Sequence, residues 1–139
     1  MKIIGSVKED LTNEKRIAIT PETLKKFVQL NFSDFLEKKY GEHLGINDEE
    51  YKDKGATLCG TVKEVLEKSQ IILKVNCPSN DEINLIKNKS ILIGQFDPLP
   101  DKEILNKLIN FFTVSGVIEI LFSVARSSLT DPMFFIISV

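Results

Sequence analysis

The sequence predicts a three-layer α/β domain built on a mostly parallel sheet. Two observations carry that prediction. Short apolar runs recur along the chain, and the segments between them are amphipathic and open on helix-capping residues. A strongly β-branched run from Gln70 to Val75 marks a central strand. At 139 residues the chain is long enough to bury roughly two-thirds of the surface it would expose unfolded.

The elements follow in order. Ile3 to Val7 reads as a first buried strand. Thr20 as N-cap and Pro21 at the first helical position start a helix through about Leu30, because proline there costs no helical hydrogen bond. Leu24, Phe27, Val28 and Leu30 give it an apolar face. Phe32 to Leu36 is a weaker strand, and Gly41 and Gly45 bracket a loop. Asn47 with Glu50 makes a capping box for a short helix that Gly55 ends, and Thr61 with Glu64 repeats the pattern before Val62, Val65 and Leu66. After the central strand, Ser79 and Glu82 open another short helix, Ser90 to Phe96 forms the next strand, and Asp101 to Asn110 is helical. Phe112 to Leu121 is a last apolar run in the main sheet. The polar stretch from Ser123 to Asp131 then gives way to the apolar Met133 to Ile137, which reads either as a cut through a larger structure or as a final edge strand. This succession describes a Rossmann-like or flavodoxin-like domain spanning residues 1–139, with no internal repeat or linker.

Composition excludes several functions. The apolar fraction of 42% and charged fraction of 27% are ordinary for a soluble globular chain. The net charge of −2, without a basic stripe interleaved with aromatics, argues against a nucleic-acid partner. Cys59 and Cys77 lie far apart with only His43 as a further soft ligand, so free thiols are expected and zinc is not. The first residues are too briefly apolar for a signal peptide, and no window approaches the roughly 20 apolar residues of a membrane span.

Two cations stand out. Arg16 precedes an apolar hinge, and Lys74 lies near the carboxyl end of the central strand, where open parallel sheets bind ligands. Together they would clamp a carboxylate or a phosphate. The structural alternative is that Arg16 pairs with Glu14 or Glu9 and that Lys74 snorkels from a strand end. Asp97, ahead of Pro98, is either a hydrogen-bond acceptor or base in a site, or a turn cap. His43 reads as a solvent-facing loop histidine, and Arg126 and Asp131 bracket hydroxyls that could hold a carboxamide or ribose, or a solvated loop. The seven glycines nowhere make the G-x-G-x-x-G turn that admits a pyrophosphate.

The run from Lys8 to Leu30, with Leu11-Thr12-Asn13-Glu14, Arg16 and Thr20-Pro21, resembles the amino terminus of the alpha subunit of proton-translocating NAD(P) transhydrogenases. The sister family, alanine dehydrogenase, is similar but less close. Ile71 to Asn76, Pro78, Asp81-Glu82-Ile83, Ile91 to Gly94 and Asp97-Pro98-Leu99 continue the resemblance, which spans about Met1 to Leu121. It implies an oxidoreductase component whose NAD(H) rests in the complete enzyme on a Rossmann domain absent from this chain, so that the chain alone should bind no nucleotide tightly. The implied partners are that NAD-binding domain, the NADP-binding and membrane components that couple hydride transfer to proton translocation, and a second copy in a homodimer. The implied location is cytoplasmic or peripheral on the inner membrane, on the matrix side in a mitochondrion. Arg126, Ser128 and Asp131 would touch the cofactor, and Arg16, Lys74, Gln95 and Asp97 would line the cleft.

Two departures qualify the resemblance. Alanine dehydrogenases hold pyruvate with an arginine and a lysine, matched by Arg16 and Lys74, but need a histidine where this chain has Asp97. Transhydrogenases carry an Arg-Ala-Gln-Ser-x-Asp loop, where this chain has Arg126-Ser127-Ser128-Leu129-Thr130-Asp131, and an earlier loop arginine falls on Ser123. The expectation is therefore a truncated or divergent amino-terminal domain on the transhydrogenase side. An alanine dehydrogenase-like fragment and a non-catalytic interaction module are the alternatives.

Overall fold

The computed structural model describes residues 2–87, 89–95, 103, 104, 106, 119–123 and 134–138, with side-chain surroundings described only through 94 and at 103, 104 and 106. Its strands are β1 (Ile3–Ser6), β2 (Ser33–Glu37), β3 (Thr57–Cys59), β4 (Ile71–Lys74), β5 (Ile91–Gln95), β6 (Glu119–Ser123) and β7 (Phe134–Ser138). Its helices are α1 (Pro21–Gln29), α2 (Asp48–Asp53), α3 (Val62–Lys68) and α4 (Asn80–Leu85). The sheet order is β3-β2-β1-β4-β5-β7-β6. The first five strands pair in parallel, while β7 is antiparallel to both β5 and β6. The α/β class read from the sequence is thus the observed one, and the order 3-2-1-4-5 is of the Rossmann rather than the flavodoxin kind.

The caps do what the sequence asks of them. Thr20 accepts a hydrogen bond from the Thr23 N–H ahead of Pro21, Thr61 accepts from Glu64, and Ser79 with Glu82 closes a capping box. Side-chain alternation along the strands then builds two cores. On one face Ile4, Leu36, Ile71 and Leu73 meet Leu24 of α1 and Tyr51 of α2. On the other, Ile72 and Leu92 meet Val65 and Leu66 of α3 and Ile83 of α4. At Gly5 the sheet and α3 approach so closely that a Cβ would collide with the Ser69 side chain.

Three local expectations change. Thr57–Cys59 pairs with β2 as a strand, and Glu42–Leu44 forms a short 3-10 turn inside the glycine-bracketed loop. The apolar tail is a strand but no edge, because β7 lies between β5 and β6. Of the helix expected over 101–110, Glu103, Ile104 and Asn106 are described and are helical, and of the run from 112 to 121 only 119–121 is described, within β6. Among the described residues no helix is long and apolar enough to cross a membrane.

One buried group is out of keeping with these cores. Asp34 of β2, in register with Ile4, is 1% exposed, and neither carboxyl oxygen has a hydrogen-bond partner among the described residues. Burial raises its pKa from the ordinary 3.8 to about 6. The folded state therefore holds this proton more tightly than the unfolded chain. The stability so gained is full below pH 3.8 and is lost as pH rises through about 6. Asp34→Asn should accordingly stabilise the protein by on the order of 1–3 kcal/mol at pH 8. The gain should shrink as the pH falls toward 4, as read by paired thermal melts of wild type and variant.

Candidate functional site

The sheet order reverses between β1 and β4, the switch point at which open α/β sheets form a crevice beyond the strand ends. The segment leaving β1 and the last residue of β4 meet there. Asp10 shapes that segment. Its carboxylate accepts from the Thr12 N–H at 3.0 Å and the Asn13 Nδ2 at 2.9 Å, while its carbonyl accepts from the Glu14 N–H at 2.8 Å. This is the side-chain-closed turn that aspartate favours.

Glu14 follows, buried, and grips Arg16. It accepts from the Arg16 backbone N–H at 2.8 Å, from Nε at 2.9 Å and from Nη2 at 2.7 Å. These bonds hold the Glu14 carboxyl below its usual range. The Arg16 side chain itself remains 61% exposed, so the pairing foreseen as the structural alternative coexists with a cleft-facing guanidinium. His43 is an exposed loop residue whose Nε2–H donates to the Lys15 carbonyl at 2.7 Å and tethers the same segment.

Beyond Arg16 the backbone is pinned by two tyrosines. The Tyr40 hydroxyl accepts from the Ala18 N–H at 3.0 Å and the Ile19 N–H at 3.2 Å. It lies 2.7 Å from Ser6 Oγ, which donates to the Leu73 carbonyl at 2.7 Å, so the phenol proton points to Ser6. Tyr51, edge-on to Tyr40 at 5.8 Å, donates to the Ile19 carbonyl at 3.0 Å. Burial pushes both phenols up in pKa and keeps them protonated.

Lys74 ends β4 and does not snorkel. Its side chain is 4% exposed, with Nζ 2.7 Å from Glu82 Oε1 and 3.7 Å from Glu9 Oε2. Strand alternation sends Lys74 to the side of Ile72, toward α3 and α4, whereas Arg16 arrives from the α1 side with Ile17 and Ala18. Glu9 is fixed in turn by the Val75 N–H at 2.7 Å, and Glu82 by the Ser79 N–H at 2.7 Å. Burial is the main reason that the Glu9 pKa is raised, against the lowering pull of Lys74 and two backbone N–H groups.

Arg16 and Lys74 line one cavity of about 310 Å³, whose other walls include Leu73, Ile93 and Gly94. Lys74 also lines a neighbouring cavity of about 560 Å³ with Glu9, Glu37, Glu82 and Cys77. Gln95 closes β5 one residue beyond Gly94, the register partner of Lys74, and so stands at the same strand ends. Asp97, Arg126, Ser128 and Asp131 lie outside the described residues. Among the described residues no group of three or more acidic, histidine or cysteine side chains is placed to hold a metal.

Residues 5–126 match the family model described as "Alanine dehydrogenase/PNT, N-terminal domain". The chain belongs to that family. It is 35% identical over 108 residues to the alanine dehydrogenase of Methanococcus maripaludis, an alignment covering 78% of this chain and 29% of that protein. It is 33% identical over 106 residues to the NAD(P) transhydrogenase subunit alpha of Haemophilus influenzae, covering 76% of this chain and 20% of that one. Among solved structures, a transhydrogenase from Sinorhizobium meliloti superposes with a TM-score of 0.73 at 29% identity, over 86% of this chain and 34% of the other. An L-alanine dehydrogenase superposes at 0.72 and 23% identity, covering 78% of this chain and 30% of the other, and shows the same fold. The chain thus spans between a fifth and about a third of the length of these relatives.

Tyr40 and Ser6 are the positioning residues that sequence reasoning missed in this member of the alanine dehydrogenase/PNT family. A tyrosine beside the helix-breaking Gly41 was the available signal, since a buried phenol demands partners. Tyr40→Phe would leave the Ala18 and Ile19 N–H groups without their acceptor, at a cost on the order of 1–3 kcal/mol. Urea titration reads the loss. Amide exchange should also speed at Ala18 and Ile19 while Leu73 in β4 stays protected.

Proposed function

We propose that this domain forms one wall of a hydride-transfer site in a nicotinamide-nucleotide enzyme of the transhydrogenase type, and that it is inactive alone. The observation that carries the reading is the cavity at the β1–β4 switch point, which Arg16 and Lys74 both line. A volume of about 310 Å³ suits a single ring or a small carboxylate. The sequence supplies no glycine-rich turn for a pyrophosphate, so the rest of a dinucleotide would be held by a nucleotide-binding domain outside the described residues.

When NAD(H) is bound, it supplies the hydride. The chain's own residues then have a positioning task. Direct transfer between two nicotinamide rings needs alignment and exclusion of water more than acid–base groups. Arg16 and Lys74 would hold an anionic or carboxamide group, the ends of β4 and β5 would form the floor, and Arg126, Ser128 and Asp131 would touch the carboxamide or ribose. NADP-binding and membrane components would complete a proton-translocating assembly, with two copies of the domain in the homodimer. The similarity to the Methanococcus alanine dehydrogenase favours one second reading, an alanine dehydrogenase-like domain holding a small keto acid. Asp97 in place of the histidine expected there weighs against it.

Titration calorimetry with NADH should show no micromolar binding by the chain alone. Mixing it with a nucleotide-binding partner domain and an NADP(H)-binding component should restore hydride transfer. Arg16→Ala should fold normally and lower the restored rate by roughly tenfold or more, the scale of one lost charge-assisted contact. Micromolar NADH binding, or unfolding of Arg16→Ala, would overturn these assignments.

A further inference from the structure

Lys74 is shared between two cavities, and its charge is committed to one of them. The ammonium lies against Glu82 and Glu9 on the acidic side, although Lys74, as the last residue of β4, also lines the cavity that Arg16 enters. Among the described residues, two cations, Arg16 and Lys74, answer to three carboxylates, Glu14, Glu9 and Glu82. An anion entering beside Arg16 meets that excess of negative charge. Either the ligand is repelled, or the site takes up a proton.

Among the described residues, the other charged and titratable groups facing this spot leave one acceptor for that proton. Lys8 and Glu37 pair with each other at 3.0 Å. Asp10 is exposed and held in its charged form by the turn it closes. The Cys77 thiol is pushed up to about 11 by burial, and Tyr40 is likewise raised, so both stay neutral. Glu14 is held ionised by Arg16. Glu82 carries the shorter bond to Lys74 and caps α4. Glu9 differs from all of these. Its side chain is 3% exposed, its contact with Lys74 is the longer one, and both burial and the nearby Glu82 favour its neutral form.

We infer that Glu9 is a positioning residue that holds the Lys74 ammonium back from the Arg16 cavity, and that a carboxylate- or phosphate-bearing group binding there is accompanied by uptake of one proton on Glu9. The proton comes from solvent, Lys74 keeps its charge, and the ammonium exchanges its 3.7 Å ion-pair contact with Glu9 Oε2 for one with the ligand oxygen. Glu9 Oε1 keeps its bond from the Val75 N–H in either state, so the loop need not unfold to release the lysine. The inference rests on the reading of Arg16 and Lys74 as an anion-holding pair.

The test uses the full chain with two probes, pyruvate and inorganic phosphate, titrated by calorimetry in two buffers of different ionisation enthalpy. Carbon-13 NMR of the Glu9 carboxyl runs in parallel. The expected result is binding with close to one proton taken up, and an affinity that falls up to about tenfold per pH unit above the Glu9 midpoint. That midpoint should lie above those of exposed glutamates such as Glu49, and the Lys74 Nζ signal should shift with it. Glu9→Gln keeps the acceptor for Val75 and removes the charge, so it should bind about tenfold more tightly at pH 8 with no proton uptake, a change a merely structural role would not produce. Binding to wild type without proton uptake, or a Glu9 carboxyl that titrates like an exposed one, overturns the inference alone. Failure of both probes to bind either wild type or Glu9→Gln removes the anion-site reading and the inference together.

Discussion

The phenol oxygen of Tyr40 joins three parts of the chain that are remote in sequence. It accepts from the backbone just after Arg16 and donates to Ser6 of β1, whose hydroxyl in turn reaches the carbonyl preceding Lys74. The distance from Arg16 to Lys74 is therefore set by a relay of short hydrogen bonds across β1 rather than by the flexibility of a long loop. Each member of the relay is buried or partly so, where an unmade bond costs more than a made one gains. Tyr51 adds a second clamp on Ile19, and the edge-on stacking of the two rings fixes both hydroxyls. The arrangement converts a segment with no regular structure into a rigid rim.

Electrostatics divides the molecule in a similar way. Pairs such as Lys63–Glu67 and Lys68–Glu64 are exposed helical neighbours of small energetic weight. The Lys74 group is of another kind, because the lysine and Glu9 are both almost fully withdrawn from water. Removing either partner would strand a buried charge. Such a group is tolerated where backbone N–H donors share the load, as Val75 and Ser79 do here.

Much of this fold was legible from local chemistry. Thr20-Pro21, Thr61 and Ser79 announce their helices because capping is a matter of a few adjacent residues. The β-branched run at 71–75 could hardly be anything but an interior strand. β3 escaped because three residues, the first of them polar and exposed, carry no period, and only pairing with β2 makes them a strand. The interior position of β7 was equally hidden, since an apolar run does not say which neighbours it will find. At the site, the sequence pointed to Arg16 and Lys74 as cations at a strand end. It could not show that Lys74 is met by Glu9, since alignment of residues 65 positions apart is a property of the sheet order.

Asp34 and Glu9 are both buried carboxylates raised by burial, and the contrast between them separates tolerated cost from organised charge. Among the described residues neither carboxyl oxygen of Asp34 has a hydrogen-bond partner, so burial opposes its charge and protonation relieves it. Glu9 has a cation on one oxygen and a backbone N–H on the other, so ionisation and protonation are both accommodated by the same geometry. A group with two comfortable states can respond to what arrives beside it, whereas a group with one merely sets a pH above which the fold loses stability. It is the second oxygen of Glu9, anchored to β4's own continuation, that keeps the first one free to exchange its partner.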